Sequence, residues 1–244
     1  MKHRLISEVR VQQPPTLRRR AKVWVRDYVR KHAPVLFREV SNFHHTEDRR
    51  ILETVILAHL LEDPQVKRIL FVGCEWYTKP YERMMRSKEY WTLDVDPEKR
   101  RFGATRHVCD TLVNLDRHFP PGFFDAIVCN GVFMKTAIEE RDEAEHSFKV
   151  CRRSLRDGGW FVLGWNDIDW LRPYPPSESD ELANLELTEF PPMGVKEYLT
   201  DTAVRHTYTF YRKPVDVSAD RFSGTGPFVQ PAIDSHQPIG ARLP

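Results

Sequence analysis

Residues 68–96, RILFVGCEWYTKPYERMMRSKEYWTLDVD, carry the reading on which the fold depends. After Arg68 the run ILFV is continuously apolar, as a strand buried on both faces requires, and it empties into Gly73. A second strand, residues 90–94, ends in Asp94, and residues 79–87 between them carry a helical pattern. Asp94 lies 21 positions after Gly73, close to the spacing at which nucleotide-binding α/β folds set an acid on a ribose hydroxyl. That spacing predicts a nucleoside-containing ligand. Glu75 and Tyr77, however, stand where a glycine-rich loop would place its second and third glycines. A pyrophosphate needs a glycine-lined helix start, so the loop disfavours a dinucleotide.

The same alternation extends outward in both directions. A helical pattern over residues 46–61, with Ile51, Val55, Leu57, Ala58, Leu60 and Leu61 apolar, stops at Asp63-Pro64 and feeds the first strand. Beyond Asp96 the pattern predicts a short strand at 106–109, a strand at 124–129, a helix over 138–155, a turn at Gly158-Gly159 and a strand at 160–165. Strands and helices in this order imply an α/β fold, a doubly wound and mostly parallel sheet covered on both faces. Residues 204–212, VRHTYTFYR, alternate as a late antiparallel strand. The organisation expected is a leader at 1–15, an N-terminal helical cap at 16–65, the α/β domain at 66–213 and a Pro/Gly-containing tail at 214–244. Residues 166–195, rich in Pro, Asp, Glu and Ser with a short helical pattern near 179–187, read as an insertion forming a lid.

With 244 residues, 41% of them hydrophobic, the chain can bury one substantial core. Its formal charge of +2 is uneven, +8 over residues 1–31 and −6 over the remainder. The excess lies on an amphipathic basic helix at 17–32, with Arg18, Arg19, Lys22, Arg26 and Arg30 opposite Trp24, Val25 and Tyr28. A nucleic-acid contact would centre there, because the body is mildly acidic. Four cysteines without C-x-x-C spacing indicate reduced thiols and a cytoplasmic setting. No apolar run has the roughly 20 residues of a membrane span.

In an open parallel sheet, ligands bind beyond the carboxyl ends of the strands. Those ends carry Gly73, then Asp94 and Asp96, then Asp110, then Asn130-Gly131, then Trp165-Asn166-Asp167. In this order ILFVGC, YWTLDVD, HVCDTL, FDAIVCNGVF and LRDGGWFVLGW resemble the five motifs of the class I S-adenosylmethionine-dependent methyltransferases. The resemblance covers residues 46–213 and implies a Rossmann-like seven-stranded sheet with S-adenosyl-L-methionine as cofactor. It implies that Gly73, Cys74 and Glu75 pass under the methionine and ribose, and that Asp94, or failing it Asp96, accepts from the ribose hydroxyls. Asp110 would accept from the adenine amino group while the amide of Thr111 or Leu112 meets a ring nitrogen. Asn130, followed by Gly131, would turn its carbonyl toward the methionine amino group. Trp76, Tyr77 and Lys79 would stand in for the missing glycine contacts, the lysine toward the carboxylate.

Methyl transfer is an in-line displacement at an activated sulfonium, so it needs alignment and, for a hydroxyl acceptor, a proton acceptor. Candidate bases are His44, His45 and Asp167. A divalent metal is not expected, since Asn130, Asn166 and Asp167 contain one acid. Trp165, Asn166, Trp170 and Tyr174 suit a flat or ring-shaped substrate. The expected activity is methylation of a small molecule at a hydroxyl of a sugar or secondary metabolite. RNA or protein methylation through the basic helix, and a non-catalytic nucleoside- or partner-binding role, are the alternatives.

Overall fold

The computed structural model describes residues 46–215 apart from Glu139. The leader, the basic helix, His44, His45 and all but the start of the tail lie outside the described residues. Eight strands form one sheet in the order β3-β2-β1-β4-β5-β8-β6, with β7 also on β8. They are β1 (Arg68–Val72), β2 (Glu89–Asp94), β3 (Arg106–Cys109), β4 (Phe124–Phe133), β5 (Leu155–Asn166), β6 (Glu186–Leu187), β7 (Glu197–Leu199) and β8 (His206–Arg212). β1 to β5 run parallel and β8 antiparallel to β5. The count exceeds the expected seven because β6 and β7, two and three residues long, pair with successive stretches of β8. Strand order reverses between β1 and β4, where an open sheet of this kind leaves its ligand crevice.

Side-chain alternation along the strands divides the core. Leu70, Val72, Ile127, Cys129, Phe161 and Leu163 face one layer, which is closed by Phe148 and Cys151 of α5 (Arg141–Ser154) and Leu115 of α4 (Leu115–His118). Ile69, Phe71, Ala126, Val128, Trp160 and Val162 face the other, beneath α1 (Glu47–Ile51) and α2 (Leu57–Glu62). A π-helical stretch, Leu52–Ile56, joins α1 to α2, and together they fill the expected 46–61 helix. Helix α5 is amphipathic, burying Ala144, Ser147, Phe148 and Cys151, with acids in its first turn and arginines in its last, as the helix dipole favours.

Four local expectations change. The 79–87 helix shrinks to α3 (Tyr81–Met84), because Met85 leaves helical geometry and Lys88 is drawn aside to the carbonyls of Asp63 and Val66. The turn at Gly158-Gly159 is a bulge within β5, since Phe124 pairs with Leu155 but Ala126 pairs with Trp160. The late strand begins at His206 because Arg205 takes a left-handed φ of 48°. The helical pattern near 179–187 is one 3-10 turn, Leu182–Asn184, followed by β6.

Much of the 166–195 insertion is core. Tyr174, Leu182 and Leu185 join the α5 layer, and Phe190 stacks on Phe210 at 4.4 Å in the other. Glu145 on α5 fastens it, accepting from the Tyr174 hydroxyl at 2.8 Å, the Ser179 hydroxyl at 2.9 Å and the Glu181 amide at 2.9 Å. Glu145→Ala is expected to lower stability by roughly 1–3 kcal/mol, since it strands several partly buried donors, and Glu145→Gln by less. Urea unfolding checks this: an Ala variant within 0.5 kcal/mol of the parent, on the order of ordinary surface substitutions, would mean the insertion holds without Glu145.

Candidate active site

The crevice at the β1/β4 reversal begins with Gly73. Its φ of 90° is left-handed, and a Cβ there would lie 2.8 Å from Val132 Cγ1 and 3.0 Å from the Asn130 carbonyl oxygen. Only glycine lets the loop lie this close to the end of β4. The next residue, Cys74, is buried, and its amide donates to Asp94 Oδ2 at 2.7 Å. Burial, with Asp94 adding to it, pushes the Cys74 thiol up to about 12, so it sits there as an apolar neutral group. Asp94 Oδ1 accepts from the Asp96 amide at 2.9 Å. A carboxylate accepts about four hydrogen bonds, and these two amides use two of the acceptor sites on Asp94. Asp96 turns its own carboxylate to the Glu98 amide at 2.9 Å, capping the 3-10 turn Pro97–Phe102. Of the two acids, Asp94 is therefore the one facing the loop.

The loop after Gly73 is held by polar contacts in place of glycines. Thr78 Oγ1 donates to the Glu75 carbonyl at 2.7 Å and accepts from the Glu75 amide at 3.2 Å, while the Glu75 carboxylate pairs with Lys99 at 2.9 Å. Trp76 and Tyr77 meet edge to face at 5.6 Å. Above Tyr77, the Arg49 guanidinium of α1 lies 3.1 Å from the ring centroid and donates to the Tyr81 hydroxyl at 3.2 Å. Lys79 Nζ donates to the Gly103 carbonyl at 3.4 Å. The cation brought against the loop's aromatics is thus Arg49, which the sequence offers only as one of many basic residues on a helix.

At the end of β3 the Asp110 carboxylate accepts from the Thr111 amide, from Asn114 Nδ2 and from His118 at 2.7–2.8 Å. These bonds, Asn114's foremost, hold it down to about 2, so it stays an ionised acceptor. Val95, between Asp94 and Asp96, is an apolar side chain 63% exposed. Its signal in the sequence is weak: a lone valine in an acidic turn.

At the ends of β4, β5 and the start of β8, three polar side chains meet. His206 Nδ1 lies 2.8 Å from Asn166 Oδ1 and Nε2 lies 3.1 Å from Asn130 Oδ1. The ring is 5% exposed, and burial brings its pKa down to about 4. In the sequence His206 stands only within a strand pattern, and no local motif marks it. Gly131 follows Asn130 with a φ of 73°. Trp165 instead enters the α5 core layer, its indole N–H donating to Thr209 Oγ1 at 2.9 Å. Tyr174 is buried there too, while Trp170 is 39% exposed. Asp167 is engaged by Arg172 and, at 3.0 Å, by Arg205, and Arg172 also pairs with Asp169 at 2.6 Å. Among the described residues no three His, Cys, Asp or Glu side chains converge as a metal site.

The buried histidine makes a pH prediction. Its folded-state pKa lies below the usual 6.5, so the unfolded chain takes up a proton that the folded chain refuses. Stability is therefore full above about pH 6.5 and falls as the pH drops toward 4, by about 2–3 kcal/mol. His59 and His107, also lowered by burial, act in the same direction. Urea midpoints at neutral pH and near pH 4.5 measure the slope, and equal midpoints would contradict it.

The methyltransferase domain family matches residues 70–163. No curated protein matches the chain. Among solved structures, the N-methyltransferase NodS of Bradyrhizobium japonicum WM9 with S-adenosylhomocysteine is 17% identical, with 72% of this chain and 92% of that one covered at a TM-score of 0.52. The 1,6-didemethyltoxoflavin-N1-methyltransferase of Burkholderia thailandensis is 16% identical, covering 87% and 99% at 0.51. The [4+2]-cyclase SpnF is 14% identical, covering 84% and 99% at 0.52. These three share the fold. The family match begins in β1 and ends in β5, so a methyltransferase domain model spans the parallel strands of the sheet, with Asp94 at the end of β2.

Proposed function

We propose that the enzyme methylates a small molecule at a hydroxyl, on a sugar or a secondary metabolite bound over the ends of β4 and β5. The observation carrying this is the wall beside the loop: Asn130 and Asn166, uncharged carboxamides held by a neutral His206, are suited to orienting a neutral acceptor. The residues of the crevice fit the cofactor. Gly73 leaves room where a Cβ would close the loop, and Asp94 keeps acceptor capacity for the ribose hydroxyls. Val95 would cover the adenine, Asp110 would accept from its amino group, and the Leu112 amide would meet a ring nitrogen, the Thr111 amide being taken by Asp110. The cofactor supplies an electrophilic methyl on a sulfonium. Asp167, tied to two guanidiniums, serves better as their anchor than as a proton acceptor, and residues 166–172 are the part of the insertion left at the strand ends.

Arg49 replaces Lys79 in this reading as the partner of the methionyl carboxylate, because it is stacked against Tyr77 while Lys79 is bonded to Gly103. Arg49→Leu is expected to weaken S-adenosylhomocysteine binding about tenfold, the scale of one charged hydrogen bond, and to leave methylthioadenosine, which lacks the carboxylate, unaffected. Equal losses for both ligands by calorimetry would place Arg49 elsewhere.

The acceptor is tested by incubating the enzyme with methyl-labelled S-adenosylmethionine and a panel of hydroxylated sugars and ring compounds, with transfer read by mass spectrometry. Labelled RNA at low salt, with the label lost at physiological salt, would replace the small-molecule reading with one centred on residues 17–32. Among the described residues no helix is long and apolar enough to cross a membrane. All four cysteines are free, which supports a cytoplasmic setting.

A further inference from the structure

Three neighbouring strands deliver the polar cluster at the crevice. In register, Asn130 on β4 faces Gly164 on β5, and Asn166, two residues on, faces His206 on β8. Positions opposite each other share a face, as do positions two apart, so Asn130, Gly164, Asn166 and His206 lie on the α1 side of the sheet. Gly164 makes a notch between them. A Cβ there would lie 2.0 Å from Asn130 Oδ1 and 2.9 Å from His206 Nε2, so both groups occupy space that any other residue would fill. Asn130 thereby has two attachments: its backbone carbonyl abuts Gly73 of the cofactor loop, and its side chain enters the notch beside His206.

We propose that His206 is a positioning residue for methyl transfer, a neutral imidazole that fixes the two carboxamides and, through Asn130, the seat of the cofactor's methionyl end. The proposal rests on the reading of Asn130 as the cofactor's neighbour. The reasoning is a donor count. A neutral imidazole has one N–H and one lone pair, and it faces one carboxamide with each nitrogen. One amide must therefore offer its oxygen and the other its NH2, whichever way each is first drawn. The shorter contact assigns the N–H to Nδ1, donating to Asn166 Oδ1 at 2.8 Å. Nε2 then accepts from the Asn130 NH2 at the 3.1 Å position, and the Asn130 carboxamide oxygen turns away from the ring as a free acceptor. Without the ring's alternating donor and acceptor, both amides lose their orientation. The ring cannot act as the base, because both nitrogens are engaged and the site is closed to solvent.

Calorimetric titration of S-adenosylhomocysteine into the full chain tests this with His206→Phe, Asn130→Ala and the double variant. His206→Phe is expected to weaken binding about tenfold, and the double variant no more than Asn130→Ala alone, because one acts through the other. A parallel cycle with Arg49→Leu should give additive losses. A merely structural role would lower the melting temperature of His206→Phe and leave its affinity within twofold of the parent, or add to Asn130→Ala; either result overturns the proposal. Should His206→Phe not fold, 15N-histidine NMR of the parent decides. One neutral tautomer protonated at Nδ1, with the Nε2 resonance moving as S-adenosylhomocysteine saturates, supports the proposal; a tautomer mixture or an unmoved resonance overturns it. If the parent itself binds neither S-adenosylmethionine nor S-adenosylhomocysteine, the cofactor reading falls and takes this inference with it.

Discussion

Asp94→Ala should abolish most cofactor affinity, by about a hundredfold or more, in a protein that still folds. If Asp94 takes the ribose diol as proposed, two charged hydrogen bonds, each on the order of 1.5–3 kcal/mol, are at stake, and a hundredfold corresponds to about 2.7 kcal/mol. The same carboxylate also orders the loop, since it accepts from the Cys74 and Asp96 amides. Those amides lose their partner in the variant, so its melting temperature should fall as well. Asp94→Asn separates the two effects. It keeps one oxygen acceptor and the side chain's shape but replaces the other oxygen with a donor that the Cys74 amide cannot use. An affinity between those of the parent and the Ala variant is expected. Calorimetry with S-adenosylhomocysteine measures each step, and parent-like affinity in Asp94→Ala would show that the acid at the end of β2 serves the loop alone.

The place of Asp94 at the end of β2 is legible in the sequence because it depends on local order. A buried strand, a tight loop and a second parallel strand fix the distance between Gly73 and Asp94 along the chain, and the apolar runs of β1 and β2 are visible without any tertiary knowledge. Asp110 and Asn130 follow by the same rule, because each stands just after, or near the end of, a strand in a sheet whose ligand side is set by topology. The rest of the site depends on contacts between distant segments. Arg49 reaches Tyr77 across 28 positions, and His206 reaches Asn130 across 76. Neither has a local spacing to betray it. His206 is polar in a strand that alternates well enough to be read as structure alone, and only the missing side chain at Gly164 gives it a place. The packing of the insertion is hidden for a related reason. Its Pro, Asp, Glu and Ser content describes its surface, whereas its anchoring depends on Glu145, on a helix that precedes it by some thirty residues.

Gly164→Ala should be among the most damaging single-methyl changes in this domain, although φ there is ordinary for any residue. The added carbon would lie 2.0 Å from Asn130 Oδ1, so the carboxamide must leave the notch, and β5 is paired on both sides and cannot yield. Overpacking costs about 1–3 kcal/mol, and displacing the amide from His206 adds a buried polar group without its partner, about 1–3 kcal/mol more. Gly131→Ala is the matched comparison. There φ is 73°, yet nothing lies within 4 Å of the new Cβ, so the cost is backbone strain alone, about 1–2 kcal/mol. Urea unfolding should therefore rank Gly164→Ala well below Gly131→Ala. The double variant Asn130→Ala with Gly164→Ala tests the cause, since removing the carboxamide empties the space that the methyl needs. Stability should recover relative to Gly164→Ala alone, a coupling of opposite sign to simple addition. Affinity for S-adenosylhomocysteine should not recover, because the carboxamide through which His206 holds Asn130 beside the loop is gone in the double variant. A double variant as unstable as the sum of its parts would mean that the methyl collides with the sheet itself, and the notch at Gly164 would then be a feature of strand packing with no bearing on the site.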